Sequence, residues 1–296
     1  MGGSILAVLS ALSFAVNSIL LRRAVLKISD ASLGVMISIP IGVPFALFLL
    51  IFTGRLGSLA DLSWQSVLFF AAAGISHYCL GRSFNYNSIQ LVGSNITSIL
   101  RRSSILVAVS LGLFLLNEPV GWKVVVGVLF IIFGITITGL NPKMFDKGAR
   151  LFSDMPRKAL FYGFGTGFFW GISPILIKLG ILSGGPPMAG VLVSFLTATL
   201  VMALSLFHRQ RREELWSMPG KAVLLFAGAG LLSSAANLAR FFALSVAPAS
   251  IVAPLVATAP VFVLILAFLF NRKLEVFSMN VIIGCVTTVM GGILLI

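Results

Sequence analysis

Long apolar runs alternate with short polar breaks along the whole chain. Runs fall at 2–21, 32–52, 64–81, 94–116, 121–140, 159–179, 187–207, 221–244, 250–270 and 277–296. Each is close to the roughly 20 residues that a helix, rising about 1.5 Å per residue, needs to cross a hydrocarbon core about 30 Å thick. The pattern predicts an all-α integral membrane fold of ten transmembrane helices. One run is uneven. Residues 103–116 would cover only about 21 Å, so the fourth span is expected to start near Ser94. That sets Arg101 and Arg102 about two turns inside it, pointing about 100° apart.

Composition agrees. Of 296 residues, 58% are hydrophobic and 10% charged, with a mean hydropathy of +1.09. A soluble domain carries about 25% charged residues to keep its surface wet. A soluble enzyme, a nucleic-acid reader, a secreted disulfide scaffold and a disordered tail are excluded. The net charge of +13 does not point to nucleic acid, because the basic residues gather in the breaks between runs. Lys and Arg divide 17 to 4 between odd and even connections. The positive-inside rule then puts the odd connections in the cytoplasm and both termini outside. Residues 2–21 follow no basic stretch of the signal-peptide kind and read as a retained span. Cys79 and Cys285 stand alone in apolar runs. No zinc spacing, phosphate loop or nucleophile elbow occurs, so no metal, cofactor or catalytic residue is expected.

The two halves repeat. Ser13-Phe14-Ala15-Val16-Asn17-Ser18 and Phe169-Trp170-Gly171-Ile172-Ser173-Pro174 carry aromatic, small, aliphatic and polar positions in the same order, 156 residues apart. Gly127 and Gly134 in the fifth span correspond to Gly284 and Gly291 in the tenth. Residues 1–141 form a first five-span repeat, 142–158 a basic connector and 159–296 a second repeat. Five is odd, so the second repeat enters the membrane from the opposite face. Inverted repeats of this kind belong to secondary transporters, whose halves rock about a site at their interface.

These segments, with Phe114-Leu115-Leu116-Asn117-Glu118-Pro119 closing the fourth span, resemble the EamA branch of the drug/metabolite transporter superfamily. The resemblance covers nearly the whole chain. It implies a ten-helix basket whose central cavity is lined by spans 1, 3, 4, 6, 8 and 9, with spans 5 and 10 outside. The second half departs from the pattern, carrying Asn271-Arg272-Lys273 where the first has Asn117-Glu118-Pro119.

Polar groups at membrane depth are costly and mark candidate sites. Asn17 and its repeat mate Ser173 could hydrogen-bond a solute, or simply join helices. Trp170 could line the cavity, and His77, Tyr78 and Asn237 lie at mid-span. His77 could relay protons or be an ordinary buried histidine. Arg82, Arg101 and Arg102 either form a basic vestibule for anionic solutes or snorkel to lipid headgroups. Arg240 is expected at the opposite mouth. Asn85, Asn87 and Asn95 read as loop and caps. Gly163, Gly167 and Gly171 make a smooth stripe suited to close helix contact within the chain.

All eight acids, Asp30, Asp61, Glu118, Asp146, Asp154, Glu213, Glu214 and Glu275, fall in loops or at span ends. Proton-coupled export of cations uses a carboxylate inside the membrane. The reading is therefore a non-enzymatic exporter of small neutral, zwitterionic or anionic metabolites across an inner membrane, with solute and lipid as its partners. A lipid flippase is the first alternative, an integral-membrane transferase the weaker one. A C-terminal tag is expected to label from outside the cell; labelling only from the cytoplasm overturns this sidedness.

Overall fold

The computed structural model describes residues 2–25, 31–139, 156–270 and 279–296. The expected connector, apart from its last residues, lies outside them, as do Asp30, Asp146, Asp154, Glu275 and Asn271-Arg272-Lys273. Among the described residues the chain is helical and has no strand. Five helices are long and apolar enough to cross a membrane, at Gly2–Leu21, Leu33–Phe52, Arg157–Leu182, Pro187–Phe207 and Gly220–Val246. Shorter apolar helices lie at Ser103–Leu116, Trp122–Ile137, Ala249–Val263 and Ile282–Leu294.

In chain order these are α1 (Gly2–Val25), α2 (Ala31–Ser38), α3 (Gly42–Phe52), α4 (Trp64–Gly74), α5 (Arg82–Leu100), α6 (Ser103–Leu116) and α7 (Trp122–Gly139). After them come α8 (Arg157–Leu182), α9 (Pro187–Ala203), α10 (Arg209–Trp216), α11 (Gly220–Val246), α12 (Ala249–Val256), α13 (Ala259–Phe270) and α14 (Met279–Leu294). The second span breaks into α2 and α3 at Pro40, which has no N–H to continue the ladder. Ser63 starts α4 as a side-chain cap, accepting from Ser66 N at 3.0 Å. Asn117 ends α6 in the left-handed region, φ 49°. The surface helix α10 carries an exposed Arg209–Glu213 pair, 2.7 Å apart, of little energetic weight.

The third and fourth spans differ from expectation. Residues 82–93 do not form a loop: helix runs from Trp64 through the 75–81 segment to Leu100. It is not straight. Ser88 Oγ and Thr97 Oγ1 stand 2.9 Å apart, where nine residues of straight helix would separate them by about 13.5 Å. The helix is therefore sharply bent between them. Arg82 therefore lies well inside the third span rather than at its end, and Asn85, 7% exposed, is buried in it. Asn87 and Asn95 are helical rather than loop residues.

Packing pairs one half with the other. Along α1 and α11, Gly3 meets Ala243, Ser10 Oγ donates to Ala236 O at 2.7 Å, and Leu20 meets Gly228, so the two run antiparallel. Along α8 and α4–α5, Gly180 meets Phe70, Ser76 Oγ donates to Phe169 O at 2.8 Å, and Gly165 meets Phe84, again antiparallel. Each half thus lends its first span to the other's third. The stripe Gly163, Gly167, Gly171 is covered within the chain by Leu100, Ser103 and Val107.

The fifth and tenth spans, α7 and α14, pack on each other and run antiparallel, with Gly127 against Gly291 and Gly134 against Gly284 and Thr288. Their outer faces expose Val125, Leu129, Phe133, Ile282, Val286 and Ile293, as a lipid-facing surface does. Glycine is needed where the backbones touch: a Cβ on Gly134 would strike Thr288 and Gly284 O. Gly134→Leu is expected to lower stability by about 1–3 kcal/mol through overpacking, read as a lower unfolding temperature in detergent. Gly121→Ala, which opens onto free space, should leave that temperature unchanged.

Candidate functional site

His77 and Tyr78 lie in Ile75–Gly81, which is wound as π-helix. Such widened turns shift the backbone ladder and recur at functional sites. Here His77 O accepts the indole Nε1 of Trp170 from α8 at 3.1 Å. The two rings stack with centroids 5.7 Å apart. Gly81 permits this approach, since a Cβ there would run into the indole. Tyr78 is 2% exposed, stacks on Phe195 at 4.7 Å, and has no hydrogen-bond partner for its hydroxyl.

Three arginines, Arg82, Arg101 and Arg240, approach this aromatic group, and Arg102 adjoins Arg101. Arg82, one turn after Tyr78, places its guanidinium 5.7 Å from the Tyr78 ring centroid. Arg101 sits 5.5 Å from the Trp170 ring centroid, within range of cation–π attraction. Arg102 buries Nη1 without a partner. Arg240 on α11 does not stand at an opposite mouth. It is 7% exposed, donates from Nη2 to Ser173 Oγ at 3.3 Å, and lies near enough to act electrostatically on both His77 and Tyr78, as Arg82 does. One turn before it, Asn237 donates from Nδ2 to Ser233 O at 2.8 Å and leaves Oδ1 free.

Trp170, Ser173, His77, Tyr78, Arg82, Arg101 and Arg240 therefore form one connected group. Asn17 does not join Ser173 by a hydrogen bond. It is buried on α1, which packs along α11, and its Oδ1 has no partner among the described residues. Ser173 has taken Arg240 instead.

Arg101 and Arg102 mark the break between α5 and α6. A second break, at Ala257–Thr258 between α12 and α13, falls 156 residues later. That is the same offset that aligns Asn17 with Ser173. Interrupted helices in matching positions of two halves are a feature of transporter binding sites. The second break lies just before Pro260, whose ring cannot donate to the ladder.

A charged fastening escaped the sequence reading. Glu118 is 7% exposed, and its carboxylate accepts from Ala249 N at 2.6 Å and Ser250 N at 2.8 Å. It caps the N-terminus of α12, where negative charge is favoured. Lys178 Nζ donates to Leu244 O at 2.7 Å and Ala247 O at 3.0 Å, closing the end of α11. The two charges grip the joint at Ala247–Pro248 from either side. Only the acid at a span end was visible in the sequence; its partners lie more than 130 residues away. A hollow of about 470 Å³ beside this joint is lined by Gly3, Leu6, Val246, Ile251 and Leu295. It holds none of the expected site residues.

A family model, the EamA-like transporter family, matches residues 1–140 and 157–296. A crystal structure of a protein 14% identical in sequence is similar in fold, with a TM-score of 0.75 over 99% of this chain and 96% of that one. No curated protein matches by sequence.

Glu118→Ala would leave two buried amides without an acceptor, at about 1–3 kcal/mol each. It should lower the unfolding temperature in detergent markedly, and Glu118→Gln, which keeps one acceptor, by less. Equal stability of all three proteins would show that the cap does not hold the joint.

Proposed function

As the chain belongs to the EamA-like transporter family, a family of membrane transporters rather than enzymes, we propose that it is a secondary transporter that exports small neutral, zwitterionic or anionic metabolites by alternating access. The observation that carries this reading is the gathering of unpartnered polar groups where α4–α5, α8 and α11 meet, next to one of two repeat-related helix breaks. Asn17, His77, Tyr78, Trp170, Ser173 and Asn237 hold the solute near mid-membrane. Arg82, Arg101, Arg102 and Arg240 bias the charge of what enters.

The moving parts are two five-span repeats, 1–141 and 159–296, of opposite orientation, making ten crossings in an inner membrane with the odd connections in the cytoplasm. The antiparallel course of α7 and α14, the fifth spans of the two halves, supports the inversion. So does the exchange in which α1 lies along α11 while α8 lies along α4 and α5. Rocking of one repeat on the other exposes the site to each side in turn. Cation–proton exchange is disfavoured, because Glu118, the described acid that is buried in the bundle, already holds two backbone amides. Its charge is committed to structure rather than to a cycling proton.

The test is counterflow in liposomes with amino acids, sugars, nucleotides and a labelled lipid. Accumulation of a water-soluble solute is expected. Movement of labelled lipid alone would replace transport of metabolites by lipid flipping. Arg102→Ala should insert normally and slow exchange of an anionic solute at low salt, where exposed charges act at longest range; an unchanged rate removes the arginine from the entry path.

A further inference from the structure

We infer that the site takes an organic anion, a solute bearing a carboxylate or a phosphate, and that the buried Arg240, bonded to Ser173 and with no acid beside it among the described residues, holds that charge. This deepens the transport reading and draws its biological meaning from it.

A guanidinium has five N–H donors in a rigid fork that matches carboxylate and phosphate oxygens. Arg240 is 7% exposed; among the described residues it donates to the neutral oxygen of Ser173 at 3.3 Å, while its Nε has no acceptor. Buried charges are ordinarily paired with opposite charge, because an unpaired one is strongly destabilising. No carboxylate among the described residues answers Arg240. Asp61 and Glu213 are exposed, Glu214 accepts from Gln210 on α10, and Glu118 is held by Ala249 and Ser250.

The neighbours add positive field rather than remove it. Arg82 places its guanidinium 5.7 Å from the Tyr78 ring centroid, and Arg240 lies within electrostatic reach of His77 and Tyr78. Arg101 lies against Trp170, whose ring stacks with His77. The Tyr78 hydroxyl, buried and unpartnered, is a further donor that suits an anion. Ser173 fixes the Arg240 fork without neutralising it. A cation entering here meets repulsion from every charged side chain in the group. An anion supplies the opposite charge that the bundle lacks.

The experiment uses the purified full chain in detergent and reads unfolding temperature with and without added solute. Malate, glutamate, inorganic phosphate and glycerol 3-phosphate are the anionic probes; sucrose and choline are the neutral and cationic ones. At least one anion is expected to raise the wild-type unfolding temperature saturably, as a ligand of the folded state does, with sucrose and choline inert. In Arg240→Met the same anion should bind about tenfold or more weakly, the scale of a lost charged hydrogen bond, and in Ser173→Ala by a smaller factor. Without any solute, Arg240→Met should unfold at a higher temperature than wild type, since it removes an unpaired buried charge. This second readout needs no ligand.

Stabilisation by phosphatidylglycerol and not by glycerol 3-phosphate would assign the anion to a lipid headgroup. A solute-free Arg240→Met that unfolds lower than wild type, with the wild type indifferent to every anion, would overturn the inference. Counterflow of a neutral solute in that same case would leave the transport reading standing. Saturable anion binding without counterflow of any solute would retain the site and remove transport.

Discussion

Charge taken out of water has to be answered within hydrogen-bond reach, and this chain answers some of its buried charges and leaves others open. Glu118 and Lys178 are answered fully by backbone. Glu118 takes the two free amides at the start of α12, and Lys178 takes two carbonyls at the end of α11. Both partners are groups that helix ends leave unsatisfied anyway, so each bond removes two costs at once. Because Glu118 belongs to the first half and α12 to the second, the cap also fastens the halves together. The arginines contrast with this. Arg240 has one neutral acceptor and Arg101 has an aromatic face. The difference between answered and unanswered charge separates the structural end of the bundle from its candidate site.

The scaffold is close to symmetric, and its chemistry is not. Helix breaks at Arg101–Arg102 and Ala257–Thr258 occupy equivalent positions, yet one carries two cations and the other an alanine and a threonine. Thr258 satisfies itself by donating to Leu255 O at 2.7 Å. The first-half break is closed in the same way, Ser103 Oγ donating to Leu100 O at 2.9 Å, but among the described residues Arg102 keeps Nη1 unpartnered. Duplication supplies two matching places where backbone can open; side chains then make only one of them strongly positive. The π-wound 75–81 segment adds a second distortion on that same positive side, and Trp170 uses the His77 carbonyl there.

Much of the fold was legible because lipid and packing leave periodic marks. Apolar runs gave the helices, and the 156-residue offset with the glycines at 127, 134, 284 and 291 gave the repeat; that those glycines meet each other came from the fold. The boundary between the third and fourth spans was not legible. Arg82, Asn85 and Ser88 look like a loop when polarity is taken to mean exposure. In the fold Asn85 and Ser88 are buried, and Ser88 is hydrogen-bonded to Thr97. The site was legible in part. Repeat register identifies Asn17 and Ser173 as equivalents, but equivalent positions in two repeats need not be in contact. Ser173 meets Arg240 because α8 and α11 belong to the same half and converge, which no local pattern records. Glu118 gave only the signal of an acid at a span end, and the amides that explain it lie in the other half.

How the halves hold each other bears on how one could move on the other. Along α1, the buried alanines at 7, 11 and 15 give a smooth face toward α11; the glycine stripe of α8 does the same toward α5 and α6. Faces built from such small residues approach closely without interlocking. The fastenings that resist motion are few and local. Glu118 ties the first half to α12 by two charged hydrogen bonds, whereas Arg240 holds Ser173 of its own half by one. A ligand shifts a conformational equilibrium only by the difference in its affinity for the two states. Arg240 is where such a difference can be largest, because an unsatisfied guanidinium gains most from a partner that closes around it. Arg240 thus combines one bond to a neutral acceptor with an open claim on an incoming charge, which ties selectivity to one place in the sequence.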